Sequence, residues 1–153
     1  MSGQRYWRNT PFHEMSPAEL YALLQLRQQV FVVEQQCIYQ DLDGLDLQAW
    51  HMRYVEDGET LACQRCLPPG ASYPESSLGR VVVAPHSRGG SLGRELVRRG
   101  IEFNQRQWPQ QDIYIGAQAY LRNFYSSLGF VAEGGLYLED GIEHIHMRYA
   151  AGS

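Results

Sequence analysis

Hydrophobic positions in the N-terminal third of the chain follow first a strand pattern and then a helical one. Residues 4–9 are consistent with a short first strand. Residues 16–19, Ser-Pro-Ala-Glu, form a capping box with proline at the first helical position, which predicts a helix start. Apolar side chains then recur at helical spacing from Leu20 to Phe31, which predicts one buried helical face. Arg27 lies on that face. We interpret it as a side chain that extends to the surface, with pairing inside a site as the alternative.

The rest of the chain alternates between short strand-like runs and two further helical patterns. Helices are predicted over residues 91–105 and 120–128, and strands at Trp50–Val55, Thr60–Leu67, Leu78–Val83, Ile113–Ala117, Phe130–Ala132 and Ile142–Tyr149. An Asp-Gly dipeptide at residues 57–58 separates the first two of these strands and is typical of a tight hairpin. This order predicts a mixed sheet with helices on its faces, an α/β or α+β sandwich, in a single domain spanning residues 1–153.

Composition and charge narrow the class of protein. The chain has 153 residues, of which 44% are hydrophobic and 20% charged, as in an ordinary soluble globular protein. A formal charge of −4 argues against a nucleic-acid partner and is compatible with an amine or cationic substrate. The N-terminal residues lack the apolar centre of a signal peptide, and no apolar run reaches membrane length. We therefore expect a cytoplasmic protein without a membrane partner.

Two short motifs have the start of a metal site but lack the remaining ligands. Cys63 and Cys66 have C-x-x-C spacing, yet the predicted strand points them to opposite faces and no second pair follows. Residues 41–44, Asp-Leu-Asp-Gly, share a fragment with calcium loops without the later ligands. We therefore predict no bound metal, with a zinc-binding adaptor as an alternative. The acidic stretch from Glu34 to Asp46 is interpreted as a long loop that lines a cleft.

Residues 86–96, HSRGGSLGREL, lead from the strand Leu78–Val83 into a predicted helix. The first amides of a helix have no internal partners and carry partial positive charge, and glycines let an anion approach the backbone closely. Arg88 adds a permanent positive charge. The stretch therefore predicts a phosphate or pyrophosphate site, with an ordinary turn as the alternative. It lacks both the lysine of a P-loop and the G-x-G-x-x-G spacing of a dinucleotide fingerprint.

A second stretch, QAYLRNFYSSLGF at residues 118–130, places Tyr125 on a short helix before Gly129. A tyrosine beside a ligand channel can act as a general acid, and an ordinary packed aromatic is the alternative. The succession V-V-V, R-G-G-S-L-G and F-Y-x-x-x-G-F resembles the GCN5-related N-acetyltransferase (GNAT) superfamily over nearly the whole chain. Several longer strings are similar to its small ElaA-like branch: LYALLQLRQQVFVVEQ, YQDLDGLD, YIGAQAYLRNFY and YLEDGIEHIHM.

The resemblance implies an acyl-CoA N-acyltransferase fold, with a mostly antiparallel sheet, a bulge that splays the central strands, and acetyl-CoA as co-substrate. Tyr125 would protonate the departing thiolate. The implied cofactor-binding residues are Arg88, Gly89, Gly90, Ser91, Leu92 and Gly93 for the pyrophosphate, and Val81, Val82 and Val83 for the pantetheine arm. Ser91 departs from the usual glycine, although a serine with negative φ still offers its amide, and Gln118 replaces the usual asparagine. Asn123 is a further candidate outside the family register.

The acceptor side of the implied reaction is less defined. The acceptor would be a small-molecule or peptide amine, and family members are often homodimers. Two residues are candidates for the general base: Glu34 near the end of the first helical region, and His144 on the last strand. Each also has an ordinary interpretation, as a surface carboxylate and a satisfied strand histidine. Two further alternatives are a non-catalytic acyl-CoA-binding or sensing module, and an acyl-homoserine-lactone synthase, which shares a pattern with Arg27, Val30, Phe31, Asp43 and Asp46.

Overall fold

The order of strands and helices along the chain agrees with the order predicted from the hydrophobic patterns. The computed structural model describes residues 4–153. Its α-helices are α1 (Pro17–Arg27), α2 (Leu92–Gln107) and α3 (Arg122–Ser127). Its strands are β1 (Arg5–Pro11), β2 (Trp50–Glu56), β3 (Glu59–Leu67), β4 (Ser77–Val83), β5 (Ile113–Gln118), β6 (Val131–Glu139) and β7 (Ile142–Tyr149). No helix within residues 4–153 combines the length and apolar character needed to cross a membrane.

The strands form two antiparallel sheets, ordered β1-β2-β3-β4 and β5-β7-β6. An isolated parallel bridge joins Ser76 to Ile113, and the Tyr114 amide donates to the Ser76 carbonyl over 2.9 Å. Beyond this bridge β4 and β5 separate, so the predicted splay of the central strands is confirmed. The hairpin at residues 57–58 is also confirmed, because Asp57 and Gly58 have φ values of 50° and 83°, as a primed turn requires.

Helices cover both faces of the first sheet, as predicted. On one face, α1 packs Leu23 and Leu26 against Cys63 of β3, and on the other, Leu96 of α2 lies in the cluster that contains Cys66. The two cysteines therefore point to opposite faces, as their three-residue spacing on a strand dictates. They cannot ligate one metal ion, which removes the zinc-adaptor alternative. Among the described residues, no group of three His, Cys, Asp or Glu side chains is placed to hold a metal.

The capping box starts α1 as predicted, because the Ser16 hydroxyl accepts from the Glu19 amide and the Glu19 carboxylate accepts from the Ser16 amide. The predicted helix does not stay regular up to Phe31, since the backbone continues from Gln28 to Glu34 as a π-helix. Such wide turns are uncommon and often occur at functional sites. The π-helix buries Val30 and Phe31 and carries Glu34 to the edge of a cavity.

Arg27 does not extend to the surface, and that interpretation is wrong. Its side chain is only 1% exposed. It belongs to a cluster of three arginines and three aspartates: Arg27, Arg65, Arg80, Asp41, Asp43 and Asp46. Arg27 donates two hydrogen bonds to the Asp46 carboxylate, of 2.8 and 3.1 Å, one to the Asp41 carboxylate and one to the Asp41 backbone carbonyl. A buried charge is stable only when it is paired in this way. We call this group the Arg–Asp cluster.

Most of β6 was missed by the sequence prediction. A strand was predicted only at Phe130–Ala132, whereas β6 extends from Val131 to Glu139. Two glycines at residues 134–135 interrupt the alternating pattern, and Gly134 has a φ of 75°. The pairing of β6 with β7 shifts register at this point, between Glu133 and Tyr137. Glycine within a strand often marks such a bulge, which is why the pattern there ended early.

Candidate active site

A cavity of about 820 Å³ opens where β4 and β5 separate. It brings together most of the residues singled out from the sequence: Glu34, Val81, Val82, Val83, Arg88, Gly93, Gln118, Tyr125 and His144 all line it. The other residues of the glycine turn, which we define as Arg88–Gly93, connect two lining residues without lining the cavity themselves. Asn123 is exposed on α3 and is absent from the cavity lining. The structure therefore does not support a role for Asn123 at this site.

A bulge in β4 accompanies the separation of the two strands. Cys63 of β3 lies opposite Val82 and Arg65 lies opposite Gly79, so Arg80 and Val81 together face a single residue of β3. Arg80 has a φ of 48°, in the left-handed region that side chains other than glycine rarely adopt. Its guanidinium is fixed by the Arg–Asp cluster, with Nε 2.7 Å from the Asp41 carboxylate. A bulge bends and twists its strand, so this one directs β4 away from β5.

The edge of β4 presents backbone groups to the cavity. The Ala84 amide donates to the Leu61 carbonyl over 2.8 Å, and hydrogen-bonding direction alternates along an antiparallel strand. The amide and carbonyl of Val83 therefore face away from β3, toward the cavity. The Val83 carbonyl accepts a hydrogen bond of 3.0 Å from Nε of Arg88. This edge can pair with an extended ligand as an added strand would.

The glycine turn has an open, amide-rich surface. Gly89 has a φ of 91°, and side chains built on Gly89 or Gly90 would meet nothing within 4 Å. Ser91 has a φ of −101°, its side chain makes no capping hydrogen bond, and α2 begins at the next residue. Because this φ is negative, Ser91 adopts the conformation without strain and can present its backbone amide to a ligand as a glycine would. The first amides of α2 are therefore free to bind an anion.

Arg88 and Glu34 form an ion pair across the cavity wall. The two terminal nitrogens of Arg88 lie 2.6 and 2.8 Å from the two carboxylate oxygens of Glu34. These hydrogen bonds from Arg88 lower the pKa of Glu34, so its carboxylate is ionised at neutral pH. The arginine predicted to bind phosphate and one candidate base thus occupy each other in this structure.

Tyr125 is buried at the cavity wall, with 6% of its surface exposed. Its ring packs edge-on against Phe124 and Phe130, at centroid distances of 5.1 and 5.7 Å. Burial raises the pKa of Tyr125, so the hydroxyl keeps its proton at neutral pH. The two interpretations of this residue are compatible, because one face of the ring belongs to the core while the residue also lines the cavity.

His144 is 7% exposed and lines the cavity from β7, where it pairs with Gln118 of β5. In the tautomer that satisfies its neighbours, Nδ1–H donates to the Ile142 carbonyl over 2.8 Å. Nε2 is then an acceptor, with the Glu139 carboxylate 3.7 Å away. The imidazole therefore has one nitrogen fixed by the backbone and one directed to a carboxylate, an arrangement suited to accepting a proton.

The family is shown by a sequence model described as an acetyltransferase (GNAT) domain, which matches residues 14–151. This chain belongs to the GNAT acetyltransferase family. It is 43% identical to protein ElaA of Escherichia coli over 143 residues, which cover 92% of this chain and 94% of ElaA. The resemblance to the ElaA-like branch is thereby confirmed.

Comparison with solved structures also places this GNAT protein among acyl-CoA N-acyltransferases. The crystal structure of an acyl-CoA N-acyltransferase from Pseudomonas aeruginosa has a TM-score of 0.91 and 43% identity, covering 96% of this chain and all 100% of that one. The E. coli ElaA structure has a TM-score of 0.89 and 40% identity, covering 95% and 99% of the two chains. The AHL synthase LasI has a TM-score of 0.76 at 20% identity, covering 96% and 90%, which shows a shared fold alone. The acyl-CoA N-acyltransferase fold is confirmed, and family membership supports acyl transfer.

Several residues that line the cavity of this GNAT protein were missed by sequence reasoning: Tyr73, Gly79, Gly116, Glu139 and Asp140. Tyr73 lies in the irregular segment between β3 and β4, where no periodicity marks a side chain as inward-facing. Glu139 ends β6, which was not predicted that far, and Asp140 belongs to the β6–β7 turn, which was recognised only as a turn signal. This turn lies beside the segment that follows the π-helix, where the Cys37 thiol lies 3.2 Å from the Asp140 carbonyl.

Proposed function

We propose that this protein transfers the acetyl group of acetyl-CoA to an amine acceptor. The main support for this proposal is that one cavity contains four features: a turn suited to anion binding, an unpaired strand edge, a buried tyrosine, and a histidine with one nitrogen not bonded to the backbone. A pocket that only bound a nucleotide would need the first two features and neither of the last two. The family to which the chain belongs supports the same reaction class.

The residues present fit an acyl-CoA molecule. The open amides of the glycine turn would hold its pyrophosphate, since nothing fills the space above Gly89 and Gly90. The backbone of Val81 and the carbonyl of Val83 would pair with the amides of the pantetheine arm, while Val82 anchors β4 in the core. A bound acetyl-CoA would supply an activated thioester beside Tyr125. Gln118 lines this region and accepts a hydrogen bond of 3.4 Å from Gln35, which links β5 to the segment after the π-helix.

Residues of this chain can perform each chemical step of the transfer. His144 Nε2 takes a proton from the acceptor amine, whose nitrogen forms a bond to the acetyl carbon. The Val83 amide donates to the carbonyl oxygen as negative charge develops there. Tyr125 donates its proton to the sulfur as the carbon–sulfur bond breaks, so that CoA leaves as a thiol. The reaction needs no metal ion and no oxidant.

A titration with acetyl-CoA tests the proposed function. A ligand that binds only the folded protein raises its melting temperature in a concentration-dependent way, so acetyl-CoA is compared with NAD and ATP. CoA release is then followed by chromatography in the presence of primary amines. Stabilisation by acetyl-CoA together with amine-dependent CoA release is the expected result. No stabilisation at millimolar acetyl-CoA would overturn the proposal, and stabilisation without release under any amine would favour a binding or sensing module.

His144→Gln is expected to lower kcat by about 10²-fold near neutral pH, because water must then accept the proton of the ammonium group. The deficit should shrink at alkaline pH, where more of the amine is already unprotonated. Glu34→Gln is expected to leave kcat and its pH profile nearly unchanged, because Glu34 is already occupied by Arg88. The measurement is kcat against pH for both variants. The opposite pattern, a changed profile in Glu34→Gln alone, would make Glu34 the base.

A further inference from the structure

Two tyrosine hydroxyl groups that the reaction scheme leaves unused meet at Gly116, at one end of the cavity; Tyr73 and Gly116 line the cavity, whereas Tyr137 does not. A Cβ atom on Gly116 would lie 2.5 Å from the Tyr137 hydroxyl oxygen and 3.2 Å from that of Tyr73. Both hydroxyls therefore converge just above the backbone of β5, at a residue that lines the cavity. Glycine at position 116 leaves room for them.

Neighbouring rings hold both tyrosines in place. Tyr137 stacks on His146 with a centroid distance of 4.4 Å and an interplanar angle of 19°. Tyr73 packs edge-on against Tyr114 at 4.9 Å. Because each ring is fixed by a second aromatic side chain, the two hydroxyls are held in place beside Gly116. We use the name tyrosine pocket for the lining residues Tyr73, Gly116, Glu139 and His144 together with Tyr137, whose hydroxyl reaches Gly116 from outside the lining.

The charge around the tyrosine pocket is unbalanced toward negative. Glu139 and Asp140 line the cavity, and in residues 4–153 neither carboxylate pairs with an arginine. The arginines that line the cavity are already engaged, two within the Arg–Asp cluster and Arg88 with Glu34. The cluster itself has as many aspartates as arginines. A cation entering the cavity thus meets unpaired carboxylates, whereas an anion at this end meets no available guanidinium.

We propose that the tyrosine pocket binds the acceptor as a primary alkylammonium group with no carboxylate on the adjacent carbon. This inference rests on the proposed function. The carboxylate of Glu139 and the ring of Tyr73, which both line the cavity, attract the ammonium group. His144, 3.7 Å from Glu139, lies where it can remove a proton from the bound ammonium. An α-amino acid would bring its own carboxylate beside Glu139 and Asp140, with no free arginine to compensate. Alkyldiamines and lysine side chains share the required chemistry.

Three probes of matched nucleophile type test the substrate class: 1,5-diaminopentane, a lysine with both its α-amine and carboxyl group blocked, and free leucine. CoA release with the first two, and much less with leucine at equal concentration, is the expected result. The first two probes distinguish a small amine from a peptide source. The chain contains no lysine, since its 13 basic residues are all arginines, so acetylated lysine detected in the assay comes from the probe. Equal turnover of leucine and the diamine would overturn the proposal.

Charge-neutral variants locate the site. Glu139→Gln is expected to raise KM for the diamine about tenfold, as loss of a hydrogen bond to a charged group does, with acetyl-CoA stabilisation unchanged. Glu143→Gln is the matched control, because Glu143 is exposed on the neighbouring strand and does not line the cavity. Equal KM values in both variants would overturn the assignment. Failure of acetyl-CoA to stabilise the wild type would instead overturn the proposed function, so the two failures are distinguishable.

Discussion

Replacing Tyr125 with phenylalanine is expected to lower kcat by about 10²–10³-fold, within the range that a lost general acid produces. The sulfur of CoA would then have to leave without a proton from the protein. The ring that packs against Phe124 and Phe130 is retained, so the fold should persist. Acetyl-CoA stabilisation should also be unchanged, because the pyrophosphate and pantetheine contacts lie on the glycine turn and β4. The measurements are kcat by CoA release and the melting temperature with and without acetyl-CoA.

Tyr149→Phe is the matched control for this experiment. Tyr149 packs against the same Phe130, at 5.5 Å, but does not line the cavity. Loss of its hydroxyl should leave kcat within about twofold of wild type, since surface changes away from a site have small effects. If Tyr125→Phe also stayed within twofold, another group would protonate the sulfur and the assignment of Tyr125 would be wrong.

Arg27→Met is expected to lower the free energy of unfolding by about 3 kcal/mol at neutral pH, the lower end of the cost of breaking a buried ion pair. Methionine fills much of the same space but leaves Asp46 and Asp41 with fewer donors. Burial disfavours the ionised form of Asp46, yet the hydrogen bonds from Arg27 outweigh it and lower the pKa of Asp46. A carboxyl whose pKa is lowered by folding stabilises the protein above its unfolded pKa of about 4, and this stabilisation is lost as pH falls through the folded value.

The difference between wild type and Arg27→Met should therefore shrink as pH falls below about 4, toward the lowered pKa of Asp46. Burial raises the pKa of Asp43, but the hydrogen bonds from Arg65 outweigh it and lower that pKa to about 2. Denaturant unfolding at pH 7 and pH 3 measures both effects. Arg94→Met, at an exposed arginine bonded to Ser127, should cost less than about 1 kcal/mol. A neutral or stabilising Arg27→Met would mean that the cluster contributes specificity rather than stability.

Local signals in the sequence predicted most elements of the fold, because the interactions that form them are local. The capping box of α1 and the hairpin at residues 57–58 each involve residues fewer than five positions apart. The environment of Arg27 could not be read in this way. Its partners Asp41 and Asp46 are 14 and 19 residues away in an aperiodic loop, so only the tertiary fold brings them together. A charged residue on an apolar helical face was the one available sign.

In the candidate site, too, the features formed by contiguous residues were predicted and those formed by distant residues were not. The glycine turn, the β4 edge and Tyr125 stand in contiguous motifs, and resemblance to the family was enough to place them. The pairing of Arg88 with Glu34 spans 54 residues and was not foreseen. The residues of the tyrosine pocket other than His144 were missed, because the hydroxyls of Tyr73 and Tyr137 meet over Gly116 only when the two sheets are assembled.

The bulge at Arg80 links the width of the gap between β4 and β5 to the integrity of the Arg–Asp cluster. A left-handed conformation at a residue other than glycine is unfavourable by about 1–3 kcal/mol, and here the ion pairs of the cluster offset it. In many enzymes, substitutions that stabilise the fold oppose those that preserve the active site. In this protein Arg80 belongs both to the Arg–Asp cluster and to the bulge of β4. Substitutions that stabilise the cluster are therefore expected to preserve the opening between β4 and β5 as well.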